Sequence, residues 1–156
     1  MSAQFIYFQE HFRTIERGSI TVGTTEAFSG RKTKGYLKIG EMADGSHVNV
    51  PVIILRGKNE GPCILIQAAI HGTEVFGSFA ISQLVSILDP KKMSGTLIAI
   101  PVTNILGIRW RARGVDPSGY LHNVDLNLAF PGHSEGDFNE QAANILMEQI
   151  QKHANY

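Results

Sequence analysis

The chain has 156 residues, of which 43% are hydrophobic and 18% charged, the size and composition of one globular domain with its own core, which excludes disorder as the default state. Lys plus Arg and Asp plus Glu both number 14, so no net field draws the chain to nucleic acid or an anionic membrane, and any charge-based function is local. A single cysteine, Cys63, excludes an internal disulfide framework and fits a reducing cytoplasm.

Residues 1–10 lack a basic region followed by a sustained apolar stretch, and no later run is long enough to span a bilayer, so a soluble chain is expected. Residues 1–33 are set aside as an N-terminal segment. Short β-rich runs at Lys34–Met42 and His47–Leu55 flank Asp44-Gly45, a hairpin turn signal. After a turn at Gly57–Gly61, Cys63–Ile70 is an almost unbroken apolar run, read as a central strand buried on both faces. Cys63 inside it reads as a small core residue rather than a nucleophile. Phe76, Ala80, Ile81, Leu84, Val85 and Leu88 then recur at helical spacing, and Asp89-Pro90 closes that helix. Thr96–Val102 reads as a second buried strand; strand, helix and strand make a crossover unit with parallel strands, and the class is α/β.

From Asn104 to about Ser134 the chain is rich in Gly, Pro, Asp and Asn and reads as one long loop, a feature that is usually functional inside a compact domain. A final helix follows. Asp137 and Glu140 are spaced as its capping box, with Phe138, Ala142, Ile145, Leu146 and Ile150 on one face.

The first buried strand runs into His71-Gly72-Thr73-Glu74, which puts an imidazole and a carboxylate at the carboxyl edge of a parallel sheet, where α/β proteins place their active sites. Both groups suit zinc, and Gly72 allows a tight turn between them. On spacing alone, a helix start with Glu74 facing the dipole accounts for the pair equally well.

Three blocks in order carry a resemblance. Gly61-Pro62 with an apolar strand and Ala69-Ile70-His71-Gly72-Thr73-Glu74, then Pro101-Val102-Thr103-Asn104, then Asp125-Leu126-Asn127-Leu128-Ala129-Phe130-Pro131-Gly132 together resemble the succinylglutamate desuccinylase/aspartoacylase family, relatives of the zinc carboxypeptidases. The resemblance implies a zinc carboxypeptidase-like mixed sheet with flanking helices, cut after the second βα unit, with residues 34–156 as the N-terminal part of the catalytic domain. It implies Zn2+ held by His71 and Glu74 as two of three protein ligands. It implies Arg113 as the cation beside the scissile carbonyl, with Arg111 the weaker candidate for that charge, and Asn127 and Arg111 as substrate-binding residues. The activity implied is zinc-dependent deacylation of an N-acyl amino acid or similar small N-acyl amine.

The sequence departs from the family pattern twice. Leu128 stands where most relatives carry an arginine for a substrate carboxylate, and leucine supplies neither charge nor hydrogen bond. The third ligand, a histidine on the strand after the last helix, and the catalytic glutamate beyond it are not found before Tyr156. His122 and His133 are the loop residues that could stand in for that ligand, a weaker reading than metal-free loop histidines. The chain alone is therefore expected to be inactive, with an uncovered sheet edge that allows self-association, including a homo-oligomer. Two rival readings stay open: a non-catalytic remnant or interaction module, and a zinc carboxypeptidase-like peptidase.

Overall fold

The computed structural model describes residues 18–115 and 125–156. Ile20–Val22 (β1) and Thr25–Ala27 (β2) form a small antiparallel hairpin inside the segment set aside from sequence. Gly23 turns it at φ +58, where a Cβ would lie 2.1 Å from the Tyr36 carbonyl oxygen, so both the left-handed backbone and the close approach require glycine.

Arg31–Glu41 (β3) and His47–Arg56 (β4) pair antiparallel around the expected Asp44-Gly45 turn. Gly45 takes φ +81, and the Asp44 carboxylate accepts the Ser46 N–H at 2.9 Å. Asn59–Gln67 (β5) and Ser94–Ile100 (β6) are adjacent and parallel, and β6 also pairs antiparallel with β4, giving the order β3-β4-β6-β5. The mixed sheet, flanked by helices, agrees with the α/β class read from sequence. Phe76–Ile87 (α1) is the crossover between β5 and β6, followed by a 3-10 turn at Pro90–Lys92.

Alternation along the strands sends side chains to two cores. Ile54, Ile98 and Ile100 face the larger one, which also takes Val50, Val52 and Leu126, and Ala142, Ala143 and Leu146 of the last helix, Phe138–His153 (α4). Leu55, Leu97 and Ala99 face the smaller one with Ile81 and Val85 of α1. Because both faces are covered, β6 is buried from Gly95 to Ile100, which is why its sequence is apolar without alternation. The α4 capping box is formed, with Asp137 accepting the Glu140 N–H and Glu140 accepting the Asp137 N–H.

Three expectations are corrected. Among the described residues β5 ends the sheet instead of lying at its centre, and Ile64 is 41% exposed; an apolar run reports the company a strand keeps, not how many strands flank it. Its outer edge bonds Asn155 and Tyr156, with Asn155 N–H to the Cys63 carbonyl at 2.7 Å and Leu65 N–H to the Tyr156 carbonyl at 2.9 Å. The buried face of α1 carries Ile81 and Val85, while Phe76, Ala80 and Leu84 of the expected face are exposed. The stretch from Asn104 contains two short helices, Ile105–Trp110 (α2) and Leu126–Ala129 (α3), too short to show a period. Among the described residues no helix is long and apolar enough to cross a membrane.

Candidate active site at the carboxyl edge of the sheet

Beyond β5 the backbone leaves the sheet through Ala69, which takes φ 52, a conformation costly for a residue with a Cβ. The carbonyls of Ala68 and Ala69 accept the N–H groups of Thr103 and Asn104 at 2.9 Å each, tying the exits of β5 and β6 together. Asn104 caps α2: its side chain accepts the Gly107 N–H at 2.7 Å and donates to the Ile70 carbonyl at 3.3 Å. Arg111 ends α2 in the left-handed conformation at φ 54, turning the chain back so that the Arg113 carbonyl accepts the Gly72 N–H at 3.1 Å. A Cβ on Gly72 would fall 2.0 Å from the Gly107 carbonyl carbon. Glycine between His71 and Glu74 is thus needed for α2 to approach, and with it Arg113.

These constraints assemble four side chains. The buried His71 ring lies with Nδ1 3.0 Å from Glu74 Oε1 and Nε2 2.9 Å from Asp125 Oδ1. Arg113 spans the same two carboxylates, at 3.0 Å from Glu74 Oε1 and 3.5 Å from Asp125 Oδ2. Asp125 is also the N-cap of α3, accepting the Asn127 N–H at 2.9 Å. Glu74 stands before the α1 N-cap, Val75, and α1 has no acidic residue in its first turn and no side-chain cap. Its carboxylate makes the His71 and Arg113 contacts and does not cap the helix.

The charges are mutually supported. The hydrogen bond from the His71 ring holds the Glu74 carboxyl below the usual carboxylate range against the opposing effect of burial, with the charges of His71 and Arg113 adding to the lowering. Burial pushes the Asp125 carboxyl up, but the Asn127 N–H, the His71 ring and the charges of His71 and Arg113 together outweigh it and hold the group low.

The donor set can be tested against zinc. A neutral imidazole has one N–H, yet His71 faces a carboxylate oxygen at each nitrogen. A ring that donates Nε2–H to Asp125 turns the Nδ1 lone pair toward a Glu74 oxygen, an arrangement that is favourable only with a proton or a cation between them. In zinc sites a ligating histidine usually donates the N–H of its far nitrogen to a carboxylate. His71 and Glu74 thus fit as two donors, with Asp125 orienting the ring; among the described residues no group of three or more His, Cys, Asp or Glu side chains is disposed to hold a metal ion.

The other sequence candidates fall around this network. Asn127 lines a cleft of about 580 Å³ beside it, together with Gln67, Ile70, Thr73, Glu74 and Phe76. Arg111 is exposed and acts as the left-handed cap, while Arg113 is the arginine whose guanidinium lies against Glu74 and Asp125. His133 is exposed, and its Nδ1 accepts the Glu135 N–H at 3.2 Å within its own turn. His122 lies outside the described residues. Asp125 stands in the sequence only as part of the block around Asn127; its partner is 54 residues away, and no local pattern announces that contact.

The model of the succinylglutamate desuccinylase/aspartoacylase catalytic domain matches residues 60–155. The chain belongs to this family. Its fold is similar to an aspartoacylase family protein from Mesorhizobium loti, with 27% identity and a TM-score of 0.68 over 86% of this chain and 38% of that one. It is similar to a succinylglutamate desuccinylase/aspartoacylase from Rhodobacter sphaeroides, with 27% identity and a TM-score of 0.70 over 82% of this chain and 39% of that one. The ectoine utilization protein EutE (DoeB) from Ruegeria pomeroyi shares the fold at 23% identity, with a TM-score of 0.69 over 90% of this chain and 42% of that one. The chain thus spans about two fifths of the length of these three proteins. Comparison with curated protein sequences gave no match. The three blocks quoted from sequence fall within the matched residues.

Proposed function

We propose that this chain carries the first part of the active site of a zinc-dependent amide hydrolase, one that cleaves an N-acyl amino acid or a similar small N-acyl amine. The observation that supports it most directly is the His71 ring, with Nδ1 turned to Glu74 and Nε2 held by Asp125. In this reading His71 Nδ1 and Glu74 are two zinc ligands, and Asp125 is the positioning residue that fixes the His71 tautomer. A bound zinc supplies Lewis acidity toward water and the scissile carbonyl. Arg113 contributes a fixed positive charge beside the reacting carbonyl, where charge develops during attack. Asn127, on the cleft wall, offers an amide that both donates and accepts hydrogen bonds to the substrate. Arg111, exposed at the end of α2, is the second arginine proposed to bind substrate. The buried lone thiol, Cys63, suits a cytoplasmic setting.

The test measures zinc content and hydrolysis of N-acyl amino acids by the protein and its His71→Ala and Glu74→Gln variants. Retained zinc that falls in both variants supports the ligand assignment. Equal zinc in all three proteins would sink it.

A further inference from the structure

Resting on the amide hydrolase reading above, we infer that the cleft beside His71 and Glu74 selects an uncharged, largely apolar substrate side chain and disfavours a second carboxylate such as that of an acidic amino acid. The cleft has the volume of a small-molecule site, about 580 Å³. No Lys, Arg or His lines it among the described residues, and Glu74 is its one ionisable lining residue. The Arg113 guanidinium is already placed against Glu74 and Asp125. A carboxylate entering this cleft would leave water, meet the like charge of Glu74 and find no cation among the lining residues, and each of these effects weakens binding.

The lining instead suits an uncharged group. Ala68, Ala69, Ile70 and the Phe76 ring supply apolar surface, and Gln67, Thr73 and Asn127 supply neutral hydrogen-bonding groups. Phe76 is 87% exposed although aromatic, which is surface that a hydrophobic substrate side chain would cover with gain.

The experiment titrates the full chain, supplied with zinc, with N-acetyl-L-leucine and N-acetyl-L-aspartate. Binding is followed by the NMR shifts of the Thr73, Phe76 and Gly77 amides and the Asn127 side chain. The two probes share the amide and the α-carboxylate and differ only in the side chain. The leucine derivative is expected to bind about tenfold tighter or more, equivalent to 1.4 kcal/mol. Thr73→Lys, which adds a cation to the lining, should move the preference toward aspartate, and Phe76→Ala should weaken the leucine derivative alone. Equal or tighter binding of the aspartate derivative, or no shift in the cleft with either probe, overturns the inference. Zinc retention in the His71→Ala and Glu74→Gln variants reports separately on the hydrolase reading, so a failure of one is not mistaken for a failure of the other.

Discussion

The middle of the sheet and its carboxyl edge are built on opposite terms. In the middle, Ile54 and Ile98 are fully buried, and neighbouring residues on β4 and β6 alternate between two apolar cores. At the edge, an imidazole, two carboxylates and a guanidinium crowd together, and the backbone that delivers them passes through left-handed conformations at Ala69 and Arg111. Neither strain nor clustered charge favours folding locally. The lesson is that the core supplies the rigidity that the edge spends on geometry, so substitutions in the two places should separate stability from metal binding.

The largest effect is expected in the core. Ile98→Ala removes a fully buried side chain between β4 and β5 and should cost about 2–5 kcal/mol, read as a lower denaturant midpoint. A loss under about 1 kcal/mol would mean that the sheet centre is less tightly packed than its burial indicates. Gly72→Ala comes next and tests the junction, because its Cβ would meet backbone atoms of Gly107 and Ala112 at 2.0–2.5 Å. The approach of α2 must give way, at roughly 1–3 kcal/mol, and the amide resonances of Arg113 should move with it. A neutral result would show that the Gly72–Gly107 contact is not what holds Arg113 in place.

Asp125→Asn isolates the edge. The α3 cap survives, since asparagine also accepts at an N-cap, but the carboxylate that orients His71 is gone. Zinc affinity should fall about 10–100-fold, measured by competition with a chromophoric chelator, with little change in the denaturant midpoint. If stability falls and zinc affinity does not, Asp125 belongs to the scaffold and not to the site.

What could be read from sequence follows the same division. The hairpin at Asp44-Gly45, the buried β6, the crossover helix and the Asp137/Glu140 capping box depend on contacts near in sequence or on patterns that burial imposes on many residues. The β1–β2 hairpin escaped because three-residue strands are too short to alternate visibly. The position of β5 escaped because strand order is not encoded in the composition of one strand. At the site, His71 and Glu74 stand three apart in the chain, Asn127 lies within a family block and Arg113 ahead of it, whereas Asp125 meets a residue 54 positions away. Phe76 shares the helical spacing of Ile81 and Val85 yet is exposed, because such spacing tells which side chains recur together and not whether that face is covered.

Cys63 offers the gentlest test, and it probes the core through protonation rather than packing. Burial raises its thiol from an ordinary value of 9.0 to about 11, because a thiolate would have to leave water for the space beneath β5 and β6. The unfolded chain therefore releases this proton at a lower pH than the folded one. The thiol's contribution to stability is complete below about pH 9, and it declines as pH rises through the window from 9 to about 11. At pH 10, one unit into that window, the loss should be roughly 1.4 kcal/mol. Cys63→Ala will be less stable than the parent at neutral pH because it leaves a small cavity, but the gap between the two should narrow as pH climbs from 8 to 10. Other alkaline groups titrate in both proteins and cancel in the difference. A gap that stays constant with pH would mean that the thiolate is tolerated where it sits, and that the core beneath β5 is wetter than the buried, neutral core on which the comparison with the charged edge depends.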